Sequence, residues 1–130
     1  MGEEMKDSRE FSRILVVEDE LLVGLAIKDM LKEAGYLAEG PVAAPEEVRS
    51  LVAALKPHVV IMDLNLGGHF EGIDLGRELI QQGIPVIFIT GYANEPILQK
   101  VKALSPRGLL IKPLTPQQVL HAVEAVKTGI

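Results

Sequence analysis

The stretch VVIMDLNL, residues 59–66, decides the fold. Four aliphatic side chains in unbroken succession leave no polar face, which suits a strand covered on both sides, as in a parallel sheet. The run ends on Asp63, a charge set directly against residues that favour burial. A carboxylate there is costly unless it is used. Working outward, ILVV from Ile14, VIFI from Val86 and GLLI from Gly108 are runs of the same kind, and LAEG from Leu37 is a weaker fifth. Their starts at 14, 37, 59, 86 and 108 lie 22 to 27 residues apart, room for one helix between each pair.

The intervening segments carry helical spacing. Val23, Ala26, Ile27, Met30, Leu31 and Ala34 recur on one face before Gly35. Val48, Leu51, Val52 and Leu55 form a second stripe behind Pro45 and the acids Glu46 and Glu47. A third helix is expected from Ile73 to Gln82, stopped by Gly83, and a shorter fourth carries Ile97, Leu98, Val101 and Leu104. Thr115-Pro116 reads as an N-cap followed by proline at N1, opening a fifth helix with Val119, Ala122, Val123 and Val126 inward. Five strands alternating with five helices make an α/β doubly wound sheet, because right-handed crossovers place helices on both faces. Such a sheet keeps its functional site beyond the carboxyl ends of the strands.

Composition agrees and narrows the function. In 130 residues, 48% hydrophobic and 24% charged, one domain can build a core, and with 4% aromatics it must do so from aliphatics. A net charge of −5 with no basic patch argues against direct nucleic-acid binding. The absence of cysteine excludes disulfides, thiolate metal sites and a cysteine nucleophile. No apolar run approaches the ~18 residues of a membrane span. The opening residues lack a signal peptide's apolar core, and Lys6 stands where myristoylation wants Ser or Thr. Residues 1–11 read as a polar tail or linker, residues 12–130 as the domain, and the expected location is the cytoplasm.

The strand ends carry an unusual set. The first closes on Glu18-Asp19-Glu20, the third on Asp63, the fourth on Thr90 and the fifth on Lys112. Taken singly, the acids after the first strand, the threonine and the lysine are ordinary at a loop, and Asp63 is the more telling signal. Together, at correctly ordered strand ends, they place several carboxylates, a hydroxyl and an ammonium in one crevice. Crowded carboxylates raise one another's pKa values, and a divalent cation relieves them. Mg²⁺ favours one or two carboxylates, waters and a phosphate. An aspartate can act as a nucleophile toward phosphorus, and a metal and a lysine can neutralise the transferred charge.

In ILVVEDE at 14–20, VVIMDLNL at 59–66, VIFITGY at 86–92 and LLIKPL at 109–114, the sequence resembles the receiver domains of two-component signalling over about residues 12 to 128. The resemblance implies a flavodoxin-like strand order 2-1-3-4-5 and Asp63 as phosphoacceptor. It implies Asp19 as a direct Mg²⁺ ligand, with Asp63 itself, Asn65 through its backbone carbonyl and Glu18 through a water. Thr90 and Lys112 would contact the phosphoryl oxygens, and Lys112-Pro113 would be cis. The phosphoryl donor would be a histidine kinase, a phosphotransfer protein or a small phosphodonor. Phosphorylation would pull the threonine inward and repack the surface of the fourth helix, fifth strand and fifth helix, the face offered to an output domain, target protein or second copy. Three positions depart from the common pattern: Leu109 where an aromatic is usual, Gly91 after the threonine, and Gly67 in place of proline, with Gly72 one residue later than usual. FITGY without that aromatic resembles the variant class with a Phe-x-Thr-Gly-Tyr motif, in which Tyr92 would carry part of the switching.

Other readings remain. A pseudo-receiver, binding partners without phosphorylation, would be expected to lack one of Asp19, Asp63, Thr90 and Lys112. A haloacid-dehalogenase-type hydrolase needs a second Asp two residues after the nucleophile, where Asn65 stands. A flavodoxin would want a hydroxyl-rich loop after the first strand rather than three acids. His69 lies in the loop after Asp63 and is expected to be a solvated loop residue; His58 and His121 show no partner pattern. Leu21 and Leu22 read equally as helix core or as exposed residues at a kinase-docking end. Ile97, Leu98, Val101 and Leu109 read as a partner or dimer surface or as core.

Overall fold

All five aliphatic runs are strands in the computed structural model, which describes residues 13–68, 71–92 and 94–129. The elements are β1 (Arg13–Val17), α1 (Leu21–Glu33), β2 (Leu37–Val42), α2 (Pro45–Leu55), β3 (Val59–Asp63), α3 (Glu71–Gln81), β4 (Val86–Thr90), α4 (Glu95–Lys102), β5 (Gly108–Ile111) and α5 (Pro116–Thr128). The sheet is parallel throughout, in the order β2-β1-β3-β4-β5. The expected doubly wound order is therefore the observed one.

The strand alternation divides the core in two. Leu15, Val17, Val60, Met62 and Phe88 face α2, α3 and α4, meeting Val48, Val52, Ile73, Leu79 and Val101. Ile14, Val16, Val59, Ile61, Ile87 and Ile89 face α1 and α5, meeting Ile27, Leu31, Val119, Val123 and Val126. Every residue of β3 and β4 is buried, which is why those two runs carry no polar alternation. Full burial of one such aliphatic side chain stabilises by about 1.5–3 kcal/mol. β2 and β5, the edges, are only partly covered, and β2 accordingly was the weakest strand signal.

Two helices are capped as their sequence chemistry predicts. Thr115 accepts the N–H of Gln118 while the Gln118 side chain accepts the N–H of Thr115, a full capping box. Asn94 caps α4 through the N–H of Ile97 at 3.1 Å. The N-cap of α1 is Glu20, whose side chain makes no capping bond.

The inward seam of α1 differs from the expected stripe. Ala26 and Ala34 are exposed, and the buried residues are Gly24, Ile27 and Leu31. The reason is close approach: a β-carbon at Gly24 would overlap the ring of Pro41 on β2, so only glycine lets the helix seat there. The third helix begins at Glu71, two residues before the expected Ile73. Val101 is fully buried, and Ile97 and Leu109 pack against its cluster, so core packing accounts for most of the face weighed as a partner surface.

Candidate functional site

The strand registers bring the chemistry together. Val17 pairs with Met62, Asp63 with Ile89 and Thr90 with Ile111, so the carboxyl ends finish level. Beyond them lies a cleft of about 230 Å³ lined by Asp19, Glu20, Asp63, Asn65, Gly91, Tyr92 and Lys112.

Asp63, the last residue of β3, is buried, and its Oδ1 accepts the Asn65 N–H at 3.1 Å. The first turn of α3 presses onto this strand end. Gly72 donates its N–H to the Leu64 carbonyl at 3.1 Å, and a β-carbon there would overlap the carbonyl oxygen of Asp63. Gly67, at a left-handed φ of 63°, donates its N–H to Asp19 Oδ2 at 3.1 Å. Proline, common at this position in receivers, has no N–H to give. The glycine thus ties the loop after Asp63 to the exposed acid after β1.

Glu18 and Lys112 form the electrostatic centre. Glu18 is 2% exposed; its Oε2 accepts the Glu20 N–H at 3.1 Å, while Oε1 lies 2.8 Å from Lys112 Nζ. That second contact is an ion pair without hydrogen-bond alignment, leaving Oε1 with no aligned donor. Burial, with a smaller push from Asp63, raises the Glu18 carboxyl to about 7 despite the relief Lys112 supplies. Burial alone would lower the Lys112 ammonium; contact with Glu18 and the charges of Asp63, Glu18 and Glu20 outweigh it and hold the lysine above its ordinary value. Nζ also stands 3.5 Å from Asp63 Oδ2 and 3.4 Å from Glu20 Oε1. Lys112-Pro113 is cis, as expected, and so is Gly40-Pro41, which no sequence signal had pointed to.

Oxygens of Glu18, Asp19 and Asp63 lie within 4.8 Å of one another. Hard oxygen donors around a buried, unaligned carboxylate oxygen fit Mg²⁺. Asn65 sits half-buried on the cleft wall. Thr90 is fully buried; its hydroxyl donates to the Tyr92 carbonyl at 3.0 Å and accepts the Tyr92 N–H at 2.9 Å. To serve a phosphoryl oxygen it must release that carbonyl. Leu109 leans on the α2–α4 side of the core, and Tyr92 is 56% exposed beside the cleft.

The histidines stand apart. His58 accepts the Arg13 N–H at 3.3 Å at the amino ends of the strands, and His121 is exposed on α5. His69 lies outside the described residues. The feature that sequence reasoning left without a role is Glu20; its one signal was a glutamate at an N-cap position, where Ser, Thr, Asp or Asn would be usual.

Comparison with known proteins points the same way. The family model of the response regulator receiver domain matches residues 14–124. The transcriptional regulatory protein PdtaR of Mycobacterium tuberculosis is 28% identical over 113 residues, 86% of this chain and 55% of that protein. This chain thus spans about half the length of that relative. The chemotaxis protein CheY of Thermotoga maritima is 25% identical over 116 residues, 88% of this chain and 96% of that protein. Among solved structures, the signal receiver domain of a modulated diguanylate cyclase from Desulfovibrio desulfuricans superposes with a TM-score of 0.82 at 26% identity, covering 90% of this chain and 94% of that one.

Proposed function

This chain belongs to the response regulator receiver domain family, and we propose that it accepts a phosphoryl group on Asp63 in a Mg²⁺-dependent reaction. Receiver domains are signalling domains rather than conventional enzymes, so the reaction is a self-catalysed switch. The observation that carries the reading is a buried carboxylate, Asp63, sharing one cleft with Lys112 and with the acids Glu18 and Asp19.

The chemistry follows from the donor set. A carboxylate oxygen of Asp63 attacks phosphorus as the bond to the donor breaks, and the leaving atom departs with that electron pair. The leaving atom is a histidine nitrogen of a kinase or phosphotransfer protein, or the acyl oxygen of a small phosphodonor. Asp19, Asp63, the Asn65 carbonyl and, through a water, Glu18 would hold the cation, whose contribution is to neutralise charge on the phosphoryl oxygens. Lys112 neutralises a further oxygen, and Thr90 turns its hydroxyl from the Tyr92 carbonyl to another. Loss of the group reverses the logic: water attacks phosphorus and the aspartyl oxygen leaves.

Release of the Tyr92 carbonyl gives the switch a starting point. With Leu109 in place of a ring, the loop carrying Gly91 and Tyr92 is the element directly tied to Thr90. The partner end is supported by Leu21, Leu22 and Leu25 on α1, 62%, 81% and 40% exposed. Of these, Leu22 lines an apolar groove with Val23, Ile27, Met30 and Leu114 next to the cleft. A kinase or phosphotransfer protein docked there would present its histidine to Asp63. A phosphorylation-independent binding module is the second reading, but no observation favours it over the complete set of four residues.

Intact mass after incubation with acetyl phosphate and Mg²⁺ tests the proposal. One phosphoryl adduct is expected on the wild type and none on Asp63→Asn or without metal. No adduct from acetyl phosphate or from a panel of histidine kinases would overturn it.

A further inference from the structure

We propose that Glu20 is a positioning residue that restrains Lys112 and so limits the rate at which Asp63 takes up a phosphoryl group. The inference rests on the phosphoacceptor reading above and adds a residue to it.

Glu20 occupies the N-cap of α1 with extended backbone, φ −84° and ψ 106°, yet makes no side-chain cap. Glutamate is a poor N-cap, because its longer side chain does not readily reach back to the first-turn N–H groups. Its carboxylate lies instead 3.4 Å from Lys112 Nζ, with the side chain 67% exposed. Lys112 is thereby shared among three acids, at 2.8 Å from Glu18, 3.4 Å from Glu20 and 3.5 Å from Asp63.

The three acids differ in what else they do. Glu18 and Asp63 belong, with Asp19, to the oxygens that converge within 4.8 Å, where a divalent cation would draw their charge. Glu20 lies outside that group. With the cation in place, Glu20 is the carboxylate still committed to the ammonium, pulling it toward the mouth of the cleft. To meet a phosphoryl oxygen on Asp63, Lys112 must give up that contact. Glu20 and Lys112 also line both the reaction cleft and the apolar groove beside α1, so they form the wall between the two. A partner seated in the groove would cover Glu20 and alter its hold on the lysine.

The test is a double-mutant cycle in the full chain. The initial rate of uptake from acetyl phosphate with Mg²⁺ is measured for wild type, Glu20→Gln, Lys112→Met and the double variant. Glu20→Gln should raise the rate about two- to fivefold, the scale of a largely exposed ion pair. In the Lys112→Met background the same change should have no effect. A second readout needs no transfer: NMR of the Lys112 ammonium should show faster proton exchange with water in Glu20→Gln. An equal gain in both backgrounds would mean simple repulsion of the anionic donor and would overturn the proposal, as would an unchanged or lowered rate with unchanged ammonium exchange. If the wild type itself takes up no phosphoryl group, the phosphoacceptor reading is what fails; if it is labelled and Glu20→Gln behaves identically, this inference alone fails.

Discussion

At the amino ends of the strands, the Arg13 guanidinium donates to the carbonyls of Leu55 and Lys56 at 2.9 and 3.3 Å, where α2 ends, and the Arg13 N–H finds His58. At the carboxyl ends, Glu18, Glu20 and Asp63 crowd around the ammonium of Lys112, and Asp19 joins Glu18 and Asp63 in one oxygen cluster. The first arrangement places a cation on a helix carboxyl end and satisfies free carbonyls, a combination that stabilises the fold. The second buries like charges with an unaligned oxygen, a combination that costs stability. The same sheet therefore has one end built for folding and one end held away from its electrostatic optimum. The cost is understandable where a cation and a phosphoryl group would complete the set.

The carboxyl end is most sensitive to substitution at Gly72. An added methyl would drive into the carbonyl oxygen of Asp63 and the backbone of Leu64. Gly72→Ala should destabilise the protein by about 2–4 kcal/mol. Urea denaturation checks this, and a loss under about 0.5 kcal/mol would show that α3 can retreat without penalty.

The pH dependence sharpens the contrast. In the metal-free fold Glu18 is raised to about 7 from an ordinary 4.5, so the folded state holds a proton that the unfolded chain releases. Its contribution therefore makes stability fall as pH rises from about 4.5 to about 7. Lys112, also raised, titrates far above this window and does not offset the fall. Wild type should lose roughly 1–2 kcal/mol across it relative to Glu18→Gln, and Mg²⁺ should restore the difference at neutral pH. Parallel pH profiles for the two proteins would remove the claim that Glu18 carries the electrostatic cost.

The smallest effect belongs to the opposite end. Arg13→Ala should cost about 1 kcal/mol through the two lost carbonyl contacts and leave phosphoryl uptake unchanged. A change in uptake would mean that the two ends are coupled through the sheet.

Most of the architecture was legible because burial on both faces leaves its mark in unbroken aliphatic runs; β3 and β4 show it plainly. The gathering of Glu18, Asp19, Asp63, Thr90 and Lys112 was legible for a related reason, since parallel strands finish at one edge. The inward turn of Gly24 was not, because it depends on Pro41 approaching from another element, and alanine and glycine look alike in a hydrophobic stripe. The contacts of Glu20 with Lys112 and of Thr90 with Tyr92 were equally invisible. They depend on loop directions that spacing and composition do not encode.

Among the clustered acids, Asp63 is the one proposed to take the phosphoryl group. Borohydride cleaves an aspartyl phosphate reductively and leaves homoserine in place of the aspartate, so treatment after exposure to acetyl phosphate and Mg²⁺, followed by peptide mass mapping, locates the acceptor. Homoserine at position 63, dependent on both donor and metal, is the result the account predicts. Conversion at Asp19 instead, or at no aspartate in a preparation that binds Mg²⁺, would contradict it.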